Sequence, residues 1–129
     1  MKKLEIVEIV DKKDGIPENE FIIIKALEDV NLKNYAIVDN TFIITQPTNK
    51  IKLSDVFRHV YFFPDIEIEK GNYVILNSGK TKKTKTQYSE EKNIMFYIFY
   101  WNSKNCIWNN TGDEAILIEY NTQDSYLKK

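Results

Sequence analysis

Gly79-Lys80-Thr81 has the ending of a phosphate-binding loop, in which backbone N–H groups and a lysine cradle phosphate oxygens. The motif also requires a glycine five residues before Gly79, and Val74 stands there, so no such loop is expected. Asp11, Asp14, Glu18 and Glu20 crowd one turn but lack the ligand alternation and the placed glycine of a calcium loop. They read as a solvated acidic turn. His59 is the only histidine, which removes zinc sites of the usual kinds and a nucleophile backed by a second histidine. Neither Ser54 nor Ser78 has the glycine neighbours of a nucleophile elbow. Cys106 is the single cysteine, so an intramolecular disulfide and a cysteine-rich metal site are excluded. Beside Ile107 and Trp108 it reads as a small buried hydrophobe. His59 could still pair with a serine or with Cys106, but no acid, base and nucleophile stand out among these residues, which leaves a minimal hydrolase as a remote third option. The expectation is therefore a non-enzyme with no catalytic residues, no metal and no cofactor.

Two features survive as binding candidates. Lys80, Lys82, Lys83 and Lys85 lie within 79–86, interleaved with threonines. Four clustered cations could contact phosphates without reading base sequence; the plainer reading is a solvated charged loop. The second feature is the aromatic wealth of Tyr97, Phe99, Tyr100, Trp101 and Trp108. Most of it must be core, but a strand with apolar residues on both faces leaves rings exposed unless something covers them.

The elements that position these residues follow from short apolar segments alternating with polar breaks, a pattern of strands without a long helical stripe. Breaks fall at Asp14-Gly15-Ile16-Pro17, Glu28-Asp29, Gln46-Pro47-Thr48-Asn49, Lys70-Gly71-Asn72, Asn77-Ser78-Gly79, Asn102-Ser103-Lys104-Asn105 and 109–112. Asparagine and glycine recur there because both tolerate the left-handed backbone of tight turns. Residues 21–24 and 94–101 are continuously apolar, as suits strands covered on both faces or covered on one by a partner. Residues 53–57 could form a short helical turn. A chain of 129 residues fits one domain spanning 1–129, with a formal charge of −1 that provides no global field for nucleic acid or an anionic membrane. Glu5 and Glu8 interrupt any signal-peptide core, and the longest apolar run is too short to cross a bilayer as a helix. A cytoplasmic location without membrane insertion is expected, in which case the glycosylation sequon Asn109-Asn110-Thr111 has no meaning.

Trp108-Asn109-Asn110-Thr111-Gly112-Asp113-Glu114 runs straight into Ala115-Ile116-Leu117-Ile118-Glu119-Tyr120, which reads as a strand, a tight turn and a second strand. Upstream stand Leu4-Glu5-Ile6-Val7-Glu8-Ile9-Val10, Glu20-Phe21-Ile22-Ile23-Ile24-Lys25 and the aspartate-ended segment 30–39, with Tyr35 at an aromatic position. Phe62-Phe63-Pro64 then precedes 66–76 with its Gly71 turn. In this order the segments resemble the lamin tail domain over nearly the whole chain, in the manner of a stand-alone bacterial member. The resemblance implies an all-β, immunoglobulin-like β-sandwich in which Phe63, Pro64, Gly71, Trp108, Asn110, Gly112 and Asp113 are structural. Between Asp39 and the Phe63-Pro64 step the chain is longer than the typical family member. Phe42-Ile43-Ile44-Thr45 and Ile51-Lys52-Leu53 around a proline-asparagine break read as an added hairpin at 42–53, either an ornament or a docking edge. The chain lacks a heptad-bearing rod and a prenylation box, so a filament-forming lamin is not expected.

The resemblance thus implies a non-catalytic binding or scaffolding module for a macromolecular partner, a protein, while the exposed edge of the added hairpin points to weak self-association or partner docking there. The alternative is a nucleic-acid-binding module that uses the lysine loop.

Overall fold

The computed structural model describes residues 2–39, 60–80, 85–108 and 113–120. The strands among these residues are, in order, β1 (Leu4–Asp11), β2 (Glu20–Ala26), β3 (Val30–Asn31), β4 (Tyr35–Asp39), β5 (Val60–Phe62), β6 (Glu67–Ile68), β7 (Tyr73–Asn77), β8 (Lys85–Ser89), β9 (Ile94–Tyr100) and β10 (Ala115–Glu119). The only helical pieces among the described residues are 3-10 turns at Pro17–Asn19 and Leu32–Asn34. The chain is all-β, as its alternation implies. One sheet has the order β1-β2-β7-β9-β8, a second β10-β4-β5, and β3 with β6 forms a two-residue bridge.

Both larger sheets contribute to one core. Ile22, Ile24, Val74, Leu76 and Phe99 enter it from the five-stranded sheet, and Tyr35 and Ile37 enter from the three-stranded sheet. Trp101 and Trp108 meet edge-on at 6.0 Å, and Phe63 meets Tyr61 at 5.1 Å and Phe99 at 5.5 Å. β1 needs a correction to keep its apolar residues inward. Leu4 and Ile6 face the core, and strict alternation would then turn Ile9 outward. A bulge between Ile6 and Glu8 absorbs Val7, so that Ile9 pairs with Ile22 on the core side.

The same logic breaks what reads in the sequence as one third strand over 30–39. Val30 and Leu32 point inward, then Tyr35 and Ile37, so one extra residue must be absorbed between them. The 3-10 turn at Leu32–Asn34 does this, with the Asn31 side chain accepting from Lys33 N at 2.9 Å. Asn31 Nδ2 also donates to Asp65 Oδ1 at 2.6 Å and to Glu67 Oε1 at 3.0 Å, which ties the break to β6.

Two further readings change. Trp108 does not lie in a strand: residues 101–108 are irregular, with bends at 104–105 and 107–108, and β10 pairs antiparallel with β4. The local bonds between Ser103 and Asn105 turn the chain there, and the tryptophan delivers its bulk to the core without a ladder. The lysine loop is also shorter than 79–86, because Lys85 and Thr86 open β8. β8 forms a hairpin with β9, yet it is β9 that pairs with β7, in parallel. Among the described residues the apolar IMFYIFY strand takes the interior of the sheet and the polar KTQYS strand its edge. The added hairpin at 42–53 and the helical turn at 53–57 lie outside the described residues.

Candidate binding surfaces

The outer face of the five-stranded sheet is built by the residues that alternate with the core set. Ile23, Ile75 and Ile98 form one row across β2, β7 and β9, and all three are half-buried. Beside them Tyr73 and Phe96, partners in the parallel ladder, stack at 5.7 Å with an interplanar angle of 25°. Phe21 and Tyr100 flank the row on the other side. The continuous apolar runs of β2 and β9 are thus explained on one face by the core, while the other face presents a contiguous apolar surface. The outer side of the three-stranded sheet differs, being covered over part of its area. Ala36, Val38 and Val60 are buried on its outer side, while Phe62 is 53% exposed and Ile118 36%.

A polar cluster sits where β2 begins and β7 ends. Glu20 is 1% exposed, and its Oε1 accepts from Ser78 Oγ at 2.6 Å and from Ile107 N at 2.7 Å. Oε2 is buried with no N–H or O–H partner among the described residues. The half-buried Cys106 thiol is the neighbouring group. Burial, then the charges of Glu20 and Asp11, and a hydrogen bond to Glu20 push its pKa up, so it is a poor nucleophile at neutral pH. The carboxylate therefore holds the 101–108 segment against the strand ends rather than activating a nucleophile. The acidic turn is not wholly solvated, since Glu20 belongs to this buried cluster; the sequence signal, a glutamate directly preceding Phe21-Ile22-Ile23-Ile24, does not reveal which face it occupies.

The other acids cap backbone. Asp14 Oδ1 accepts from Ile16 N at 2.9 Å and its Oδ2 from Asn19 Nδ2 at 2.7 Å; the first of these bonds is the main cause that holds its carboxyl below the usual range. Asp11 Oδ1 accepts from Lys13 N. Among the described residues no three His, Cys, Asp or Glu side chains gather as metal ligands. At Gly79-Lys80, Gly79 N donates to Asn77 Oδ1 at 2.8 Å and Lys80 N to Glu18 Oε2 at 3.3 Å. The N–H groups that a phosphate would need already have protein partners. Glycine is required there because a Cβ would lie 2.7 Å from Glu18 Cα.

Of the four lysines, Lys80 is exposed and Lys85 begins the edge strand, while Lys82 and Lys83 lie outside the described residues. Phe63 is core and Pro64 exposed; Asp113 is half-buried; Asn110 and Gly112 lie outside the described residues. Gly71 has φ +89 at the turn before β7, where its N–H donates to Ala26 O at 2.9 Å.

A groove of about 460 Å³ opens between β1 and β10, the outermost described strands of the two sheets. Leu4, Ile6 and Leu117 supply apolar lining, and Lys3, Glu114 and Glu119 supply charge. The Tyr35 phenol, also in the lining, has a raised pKa, from burial first and then from the charge of Glu119 and a hydrogen bond to it. Sequence reasoning missed this groove because it depends on which strands end the two sheets. No family model, no curated protein and no solved structure matches the chain.

Proposed function

We propose that the chain is a lamin-tail-like, immunoglobulin-like β-sandwich acting as a non-catalytic binding or scaffolding module, and that its macromolecular partner is a protein. The observation that carries this reading is the outer face of the five-stranded sheet. The row Ile23, Ile75 and Ile98, with the stacked Tyr73 and Phe96 beside it, keeps aromatic and branched side chains part-exposed where a solvated sheet would carry polar ones. Contiguous apolar surface of this kind marks contact sites, and exposed aromatic residues are frequent anchors in them. The two sheets with a common core and the near absence of helix among the described residues are consistent with the sandwich that the lamin-tail resemblance implies.

The test is affinity capture from the native cell with the wild-type chain and with Ile75→Lys and Phe96→Ser, each partner then being reconstituted as a purified pair. The expected result is a partner lost in both variants, with melting temperatures close to wild type. A partner retained by both variants at full affinity would remove this face as the contact. Duplex DNA binding that falls with a log–log salt slope of roughly −3.6, about −0.9 for each of four contacts, would instead favour the lysines at 80, 82, 83 and 85.

A further inference from the structure

The geometry points to the groove between β1 and β10 as a site that takes an extended peptide as an added strand on β10, and that selects a peptide carrying basic residues around an apolar centre. The proposal shares with the reading above only that the domain binds proteins; it uses a different surface and can fail or hold separately.

Backbone hydrogen bonds fix which groups of β10 face the groove. Tyr120 N donates to Asn34 O at 2.9 Å, and Glu119 pairs with Tyr35. In an antiparallel ladder the residues that bond across to the partner alternate with those that bond outward. Ile116, Ile118 and Tyr120 therefore bond to β4, while the N–H and C=O groups of Ala115, Leu117 and Glu119 face away from it. Among the described residues no strand pairs with this side of β10. The opposite wall has the same property over a short stretch. Leu27 N donates to Lys3 O at 2.7 Å, and Leu4 pairs with Ala26, so the backbone of Leu4 and Ile6 also faces away from β2. Beyond Ile6 the bulge at Val7 interrupts the edge, a device that discourages unspecific pairing along the rest of β1.

The groove is thus a slot with strand edges on both walls and apolar side chains between them. Extended backbone is the occupant that can satisfy an edge, and side-chain pockets at alternate residues set its selectivity.

Charge chooses among peptides. Two lysines, Lys2 and Lys3, and three glutamates, Glu5, Glu114 and Glu119, line the groove and leave it one negative charge in excess. Lys2 Nζ lies 3.7 Å from Glu5 Oε1, so that pair is internally matched. Glu119 is bound by a neutral phenol, and neither it nor Glu114 has a cation within ion-pair distance among the described residues. These two carboxylates bracket Ala115-Ile116-Leu117-Ile118. A strand antiparallel to β10 places its first residue opposite Glu119, its third opposite Leu117 and its sixth opposite Glu114. The matching pattern is basic at the first and sixth positions and large and apolar at the third.

The probe is a labelled peptide with Lys-Thr-Leu-Thr-Val-Lys flanked by serines, read by fluorescence anisotropy and by amide hydrogen exchange on the full chain. In the free protein the amides of Leu117 and Glu119 should exchange fast and those of Ile116 and Ile118 slowly; the peptide should protect the first pair. Methylating the backbone nitrogens of its Leu and Val, which face β10, should weaken binding by about tenfold or more, since each lost hydrogen bond is worth about 1 kcal/mol and 1.4 kcal/mol is tenfold. Glu114→Lys, an exposed change, should weaken binding and reduce its salt dependence. Slow exchange of Leu117 in the free protein would show the edge already filled, by the chain itself or by a second copy, and would overturn the proposal. So would equal binding of the methylated peptide, or no protection of Leu117 at millimolar peptide. Outer-face variants Ile75→Lys and Phe96→Ser should leave peptide affinity unchanged, so loss of the partner there and loss of the peptide here are separate outcomes.

Discussion

Glu20 shows how a single carboxylate can define one end of this molecule. It is buried, and one oxygen accepts both the Ser78 hydroxyl and the Ile107 N–H. Removing the acceptor would leave two donors with no partner at about 1–3 kcal/mol each, so its structural worth exceeds that of any exposed acid on the same turn. Its charge also bears on Cys106. Burial is the larger cause of the raised thiol pKa and Glu20 the next. The folded state holds the proton above the ordinary thiol value of about 8.5, so the unfolded chain releases it first, and stability falls as pH rises beyond that value. Alkylation of Cys106 by iodoacetamide at pH 8 should accordingly be slower in the folded protein than in urea. Glu20→Gln should accelerate the folded-state reaction without bringing it to the unfolded rate, because burial remains. A folded-state rate equal to that of the unfolded chain would remove this account of the cluster.

At the scale of elements, turns and breaks set register. Gly71 links the end of β6 to β7 at φ +89, and an added Cβ there meets nothing within 4 Å. The cost of Gly71→Ala is then conformational alone, about 1–2 kcal/mol for an L-residue held in left-handed backbone. Urea unfolding should show that loss with an unchanged m-value, since the turn is retained. A neutral substitution would mean that the turn relaxes to another type. The 3-10 break at Leu32–Asn34 and the bulge at Val7 serve the same purpose as this turn. Each absorbs one residue so that the apolar set of its strand stays on the core side.

Over the whole molecule, the five-stranded and three-stranded sheets share their apolar interior, with Trp101 and Trp108 inside it. The three-stranded sheet adds a smaller buried cluster of Ala36, Val38 and Val60 on its outer side, but among the described residues its inner side and that of the five-stranded sheet are covered only by each other. Unfolding should therefore be a single cooperative step, with tryptophan fluorescence and far-ultraviolet circular dichroism giving coincident curves. A fluorescence transition that precedes loss of the β spectrum would mean that the sheets separate before they unfold. The two proposed contact surfaces belong to different levels of the fold: an apolar sheet face, proposed for a folded partner, and a strand edge, proposed for an extended one.

The sequence by itself determined where most of the strands lie, because apolar segments and turn residues such as Gly71 act over a few residues of chain. β1, β2, β7 and β9 are legible in that way, as is the apolar surplus of 21–24 and 94–101. Pairing is a different matter. Alternation says which face a residue takes but not which strand lies beside it, so the sequence suggested a closing hairpin from Trp108 to Tyr120, whereas Trp108 lies outside any strand and β10 pairs with β4. Nor could it show that β9 would be inserted between β7 and β8, that Glu20 would be the buried acid among four, or that Lys85 would leave the loop for an edge strand. The groove is the extreme case. It exists only because β1 and β10, more than a hundred residues apart, end their respective sheets side by side. Long-range packing decides that, since the free energy of closing the core depends on all strands together and no local segment encodes it.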